Sequence, residues 1–145
     1  MARVQIKLPT DFIDALDSAS SLIDNSAEQV LKAGANIVEP RMRSNLSAAI
    51  GSSTKQPSRS TGQLAKALGP APVKVNSRGD YNVKVGFAEN RDDGRANALI
   101  ANVLEHGRSN QPARPVLAPT RAQTRRAAIT AMKPTLAVRI QQVKP

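Results

Sequence analysis

The sequence predicts an α+β fold: one small domain, helices packed on a small antiparallel sheet with a central β-hairpin at about residues 72–87, and a long C-terminal helix. Three observations predict it. Val73 and Val75 alternate with Lys74 and Asn76, Ser77-Arg78-Gly79-Asp80 supplies a turn, and Tyr81, Val83, Val85 and Phe87 alternate with Asn82, Lys84 and Gly86. That is the pattern of two half-buried strands joined by a tight connection. Apolar residues recur at helical spacing on both sides of this hairpin, and a corner between Ala101 and Pro119 launches the last helix. A chain of 145 residues suits a single domain spanning 1–145 and can bury roughly 70% of its unfolded surface.

Taken in order, Val4, Ile6 and Leu8 alternate with Arg3, Gln5 and Lys7 as a short strand ended by Pro9. Thr10 can cap a first helix carrying Phe12, Leu16, Ala19 and Ile23, with Asp11 and Asp14 near its positive end. Asp24-Asn25 is expected to break it, and Ser26-Ala27-Glu28-Gln29 to open a longer helix as a capping box. Val30, Ala33, Ile37, Leu46, Ala49 and Ile50 carry that second helix, Gly51 stops it, and Pro40 should kink it. Residues 51–60, rich in Ser, Thr, Gly and Pro, read as a flexible loop. Ser60-Thr61-Gly62-Gln63 is a second capping-box pattern, opening a short helix with Leu64, Ala65 and Leu68 that Gly69-Pro70 ends. After the hairpin, Asp92 and Asp93 stand just ahead of a helix carrying Ala98, Leu99, Val103 and Leu104.

In the corner, Gly107 supplies the left-handed turn past a helix end, and Pro119 sits where a helix start needs no N–H. The last helix is expected to dock across the sheet. Its residues Ala122, Ile129, Met132, Leu136, Ile140 and Val143 fall on one side, and the small residues Thr124, Ala127, Ala131 and Thr135 on the other. The small face is either a second packed surface or simply alanine acting as a good helix former.

Charge is unevenly placed. The net +10 combines an acidic beginning, with six acids (Asp11, Asp14, Asp17, Asp24, Glu28, Glu39) against three bases before residue 40, and a basic end: after Glu105 there are eight Lys or Arg and no acid. Such a half can meet nucleic acid, an acidic protein surface or water. Single-strand binders interleave aromatics with their charges, and only Phe12, Tyr81 and Phe87 are available here. Without cysteine, disulfide and thiolate chemistry are excluded. The start of the sequence lacks a signal-peptide run and no stretch has the ~20 apolar residues of a membrane span, so a soluble protein is expected.

Catalytic chemistry finds little purchase. His106 is the only histidine, and it lies beside Glu105, where adjacent side chains point apart. No zinc spacing or phosphate-binding glycine loop occurs. Asp92 and Asp93 with Glu89 lack the alternating oxygens of a calcium loop and read as helix-start acids. Arg78-Gly79-Asp80 reads as a hairpin tip. No enzyme, cofactor or metal is therefore expected. Arg114, held between Pro112 and Pro115, presents its charge from a stiff segment. It either caps a helix end or contacts a carboxylate, that of Glu105 or one on a neighbour.

Leu104-Glu105-His106-Gly107, a short polar gap, then Pro112-Ala113-Arg114-Pro115-Val116-Leu117-Ala118-Pro119 and a long helix resembles the siphophage neck proteins of the gp-ten-like tail-component or head-tail joining family. The order of elements over roughly Thr61 to Lys133 is similar too, and His106 and Val116 stand where the family usually has aromatics. The resemblance implies a structural virion protein of a tailed phage. It would be a homo-oligomeric, sixfold ring of the neck, between head-closure and tail-terminator proteins, completing the tail and joining it to the head. DNA would be passing lumen content, no membrane would be involved, and the host cytoplasm would hold the protein before assembly. A small basic DNA-binding protein is the alternative. Interface residues are then expected at Glu105, His106, Arg114, Val116, Leu117, Arg121 and Arg125, with Asp11, Asp14 and Asp17 facing basic groups on a neighbour.

Overall fold

The computed structural model describes residues 10–51, 60–88 and 94–143, without the side chains of 11–13, 15, 16 and 143. The expected strand at 4–8, most of the 51–60 loop and the acids Asp92 and Asp93 lie outside the described residues. Eight elements follow in order: α1 (Thr10–Ala49), α2 (Gln63–Lys66), β1 (Leu68–Pro70), β2 (Lys74–Val75), β3 (Tyr81–Asn82), β4 (Val85–Phe87), α3 (Asn97–His106) and α4 (Leu117–Val143). The α+β reading holds, with helices, small antiparallel sheets and a long last helix.

The break expected at Asp24-Asn25 does not occur. α1 is one helix of 40 residues, about 60 Å at 1.5 Å per residue. Asp and Asn each cost well under about 1 kcal/mol in a helix interior, too little to end a helix held elsewhere. Ser26 does not cap. Its hydroxyl donates back to the carbonyl of Leu22 at 2.5 Å, as Ser18 does to Asp14 at 2.8 Å, the usual way a serine is accommodated inside a helix. Glu28 pairs with Lys32 one turn on, at 2.6 Å. Pro40 is also inside α1. It offers no N–H to the carbonyl of Asn36, but Asn36 and Pro40 are both exposed, so water can take that place. The second capping box is absent as well. Gly62, with φ 76°, precedes α2 without a side-chain cap, and α2 is a single turn because Leu68–Pro70 is drawn into a strand.

β1 pairs antiparallel with β4, and β2 with β3. The two ladders form one interrupted hairpin, bridged by the Ala71 N–H donating to the Lys84 carbonyl at 2.7 Å. Its tip is built by Asn76, whose side-chain oxygen accepts from the N–H groups of Arg78 and Asp80, each at 2.9 Å. Gly79 takes φ 84° there, which explains the Arg-Gly-Asp tripeptide as turn chemistry. Arg43 fastens the base of the hairpin to α1. Its guanidinium donates to the carbonyls of Ala65 (2.8 Å) and Leu68 (3.0 Å) and to Glu39 (2.9 Å). Near the tip, the Tyr81 hydroxyl donates to Asp24 of α1.

α4 lies along α1 rather than across the sheet, and the two run antiparallel. Asn45 donates to Thr120 (2.8 Å) and Gln123 (3.1 Å), Arg41 donates to Gln123 (2.8 Å), and Arg139 reaches Gln29. Gly34 faces Met132, where a Cβ would stand only 2.8 Å from the sulfur. The core collects where the elements converge: Met42, Leu46 and Ala49 of α1, Leu64, Leu68, Ala101 of α3, and Val116. Leu46 has no exposed surface at all. Leu46→Ala should therefore lower the unfolding free energy by about 2–5 kcal/mol, read from urea denaturation followed by helix circular dichroism.

Candidate functional site

The corner expected at Ala101 to Pro119 is the site at which three helix ends meet. A helix start carries N–H groups without intrahelical partners and a partial positive charge, and a helix end the reverse. At the start of α4 the accounting is complete. Glu105, in the last turn of α3, accepts from the N–H groups of Val116 (2.7 Å), Leu117 (2.8 Å) and Ala118 (2.9 Å). Pro119 has no N–H, and Thr120 N–H already donates to the carbonyl of Val116 at 3.2 Å. One carboxylate caps the whole first turn. Pro119 thus stands two residues inside the helix rather than opening it, still where no donor is needed.

The other two ends are closed by the same segment. Gly107 N–H donates to Val103 (2.8 Å) and Arg114 N–H to Leu104 (2.7 Å), satisfying the end of α3. The Arg114 guanidinium donates to the carbonyl of Ala49 at 3.3 Å, at the end of α1. Of the roles open to Arg114, the structure assigns helix-end capping within the chain, and Glu105 is occupied elsewhere. The Arg114 Nε is buried without a hydrogen-bond partner. Arg108 and Gln111 close the intervening loop by exchanging backbone bonds of 2.8 and 2.9 Å. A shallow cleft of ≈ 320 Å³ beside it is lined by Asn45, Ala48, Ala49, Arg114, Pro115 and Pro119.

Burial pushes the Glu105 carboxyl upward, but the three backbone N–H groups, with a smaller contribution from the neighbouring His106, outweigh it and leave it below its ordinary value. A folded-state value below the unfolded one means the cap contributes stability above the usual glutamate range and loses it as pH falls through the folded value.

Of the expected interface residues, Val116 is only 3% exposed and belongs to the core, while Glu105 and Arg114 are committed to helix ends. His106, Leu117, Arg121, Arg125, Asp14 and Asp17 are exposed; the Asp11 side chain lies outside the description. The acids sit near the start of α1, and Arg121 lies level with its far end, since Thr120 bonds Asn45. That separation is about 40 Å along the helix, so these charges cannot pair within one chain. Nothing in the sequence marks the Asn45–Thr120–Gln123–Arg41 network or the role of Arg43. The Glu39–Arg43 spacing was readable in the sequence, but its carbonyl partners were not.

Among the described residues no group of three or more His, Asp or Glu could hold a metal ion, and no helix is long and apolar enough to cross a membrane. A family model described as "Bacteriophage HK97-gp10, putative tail-component" matches residues 10–107. The chain belongs to this family of phage tail components. Membership places it in the virion. The matched part of this tail component runs from the start of α1 to Gly107, the glycine of the corner. No curated protein and no solved structure matches the chain.

Three variants test the corner. Glu105→Ala should cost about 1–2 kcal/mol, in the range of a lost helix cap, and Glu105→Gln should flatten the loss of stability of the native protein below about pH 4.5, both read from Tm against pH. Gly107→Ala should be worse than either. Gly107 has φ 72°, and a Cβ would stand 2.7 Å from the Ala113 nitrogen and 2.8 Å from the Gln111 oxygen, backbone atoms that cannot step aside. Its expected loss exceeds about 2 kcal/mol, measured by urea unfolding.

Proposed function

We propose that this tail component is a structural protein of the phage neck, one subunit of a sixfold ring that completes the tail and joins it to the head. Family membership over residues 10–107 is the observation that carries the reading. The corner supports it chemically: Glu105 and Arg114 are spent on helix ends, a structural use, and the role is non-enzymatic. Its partners are further copies of itself, head-closure proteins on one side and tail-terminator proteins on the other. The exposed residues His106, Leu117, Arg121 and Arg125 meet a neighbour, with Asp11, Asp14 and Asp17 on the complementary side, while Glu105, Arg114 and Val116 hold that surface in shape from within. In a ring, one patch of each subunit meets a different patch on the next, and separated acidic and basic ends suit such a contact.

The basic α4 favours a second reading, a small DNA-binding protein. It predicts duplex affinity that falls with salt at a log-log slope of about −0.9 per neutralised phosphate.

Quantitative mass spectrometry of purified phage particles, scaled to the portal protein, separates the two. The ring reading expects about six copies per particle. Absence from particles, with the protein free in the lysate and bound to duplex DNA, would reject it.

A further inference from the structure

The large aliphatic residues of α4 point the wrong way for a self-contained molecule. The face against α1 is the small one, with Thr120 at 2% and Thr124 at 4% exposure, whereas Ile129 (47%), Leu136 (46%) and Ile140 (51%) stand in the open. With exposed Ala122 they follow one line of the helix at spacings of seven, seven and four, a single outward stripe. Arg125 and Lys133, also exposed, lie four residues to either side of Ile129 on that line, and α4 carries five bases and no acid.

A second exposed surface lies at the other end of α1, ahead of Asp24, which itself accepts from the Tyr81 hydroxyl. Arg139 of α4 reaches Gln29 of α1, and α4 is described only to Val143, one turn further on. The first fifteen or so residues of α1, about 22 Å of helix, therefore project past the described end of α4. This arm exposes Leu22 (46%) and Ile23 (50%), and between Thr10 and Asp24 it holds four acids and no base.

We infer that the arm of one copy, residues 10–24, seats on the outward α4 stripe of Ala122, Ile129, Leu136 and Ile140 of a second copy. The occupant is another copy of this chain because the two surfaces match in three respects. Both are single helices of similar length, the stripe spanning about 27 Å; both present aliphatic groups; and their charges are opposite. Closing the contact within one molecule would require the continuous helix α1 to fold back on itself. The contact therefore joins unlike patches of two copies and leaves the pair with one arm and one stripe unused, so it propagates. The inference rests on the ring reading for the closure of that propagation.

The test uses full-length chain and two double variants. Ile129→Glu with Leu136→Glu spoils the stripe and repels the acidic arm, and Leu22→Gln with Ile23→Gln strips the arm of its aliphatic groups and adds no charge that the altered stripe could attract. All four positions are about half exposed, so helix content and Tm should stay close to the parent's. By light scattering after gel filtration, the parent should associate beyond dimer at high concentration. Each variant alone should show at least tenfold weaker association. The two variants mixed should form a 1:1 dimer that grows no further, because one intact arm meets one intact stripe. A parent chain that stays monomeric at millimolar concentration, a variant that associates as the parent does, or a mixture that stays monomeric would each overturn the contact. Duplex DNA bound in a salt-dependent way by a monomeric parent would give the stripe's bases to nucleic acid instead. Particle copy number is a separate readout. Six copies with a failed variant series moves the contact and keeps the ring, whereas the predicted series without particle incorporation removes the ring.

Discussion

The carboxylate of Glu105 on the first turn of α4 is the interaction on which the remaining architecture depends. A short proline-rich connection must turn the chain from α3 into a helix of 27 residues, and the entry angle is magnified along its whole length. Three charge-assisted bonds to successive N–H groups fix that angle more firmly than a single-residue cap could. They also place a full negative charge where the helix dipole favours one. Arg114 does the reverse for α1, setting a cation at a carbonyl end. Since Arg114 and Glu105 lie on either side of one glycine turn, the same few residues position the end of α1, the end of α3 and the start of α4. Pro112, Pro115 and Pro119 reduce the freedom this segment loses on folding.

With α4 launched in that direction, its packing on α1 follows from the size of its side chains. Interaxial distance is set by the residues at the contact, and Thr120 and Thr124 allow a close approach. Their hydroxyls do not suffer from burial, because each donates to the carbonyl four residues back, at 2.6 and 2.8 Å. Gly34 then makes room for Met132. The helix pair is held by small-residue fit and a polar ladder of Arg41, Asn45, Thr120 and Gln123. Aliphatic burial is concentrated at the convergence of α1, α2, β1 and α3. Away from that convergence, Leu22 and Ile23 of α1 and Ile129, Leu136 and Ile140 of α4 stand about half exposed, and few buried apolar contacts mean low local stability.

The hairpin, α3 and the glycine corner were legible in the sequence because each is specified locally: alternation for the strands, a glycine with positive φ at each turn, proline where no donor is needed. The continuity of α1 was not. Asp24-Asn25 looks like a break, yet a penalty below about 1 kcal/mol per residue yields to the Tyr81 contact, the Ser26 back-bond and the packing downstream. The facing of α4 was misleading for a different reason. Helical periodicity shows that Ile129, Leu136 and Ile140 share a side, but it cannot say whether that side meets the rest of the same chain or another one. Glu105 is visible in the sequence as part of a motif, while its role as a cap on residues 116–118 is a tertiary fact, invisible until α3 and α4 are placed.

Charge then selects among the ways in which such exposed stripes could be covered. Two copies meeting through the same α4 face would set Arg125 and Lys133 against their own counterparts, and like charges brought together at an interface oppose association. Arm against arm would bring Asp14 and Asp17 together in the same way. Arm against stripe is the one pairing of these surfaces in which both electrostatic terms are favourable. The aliphatic groups supply the drive to associate, since exposed charges are screened beyond about 8 Å at physiological salt, and the charges decide the direction. A head-to-tail contact of that kind accounts for a feature the fold alone does not require: acids gathered on the projecting end of α1, and a last helix left entirely without them.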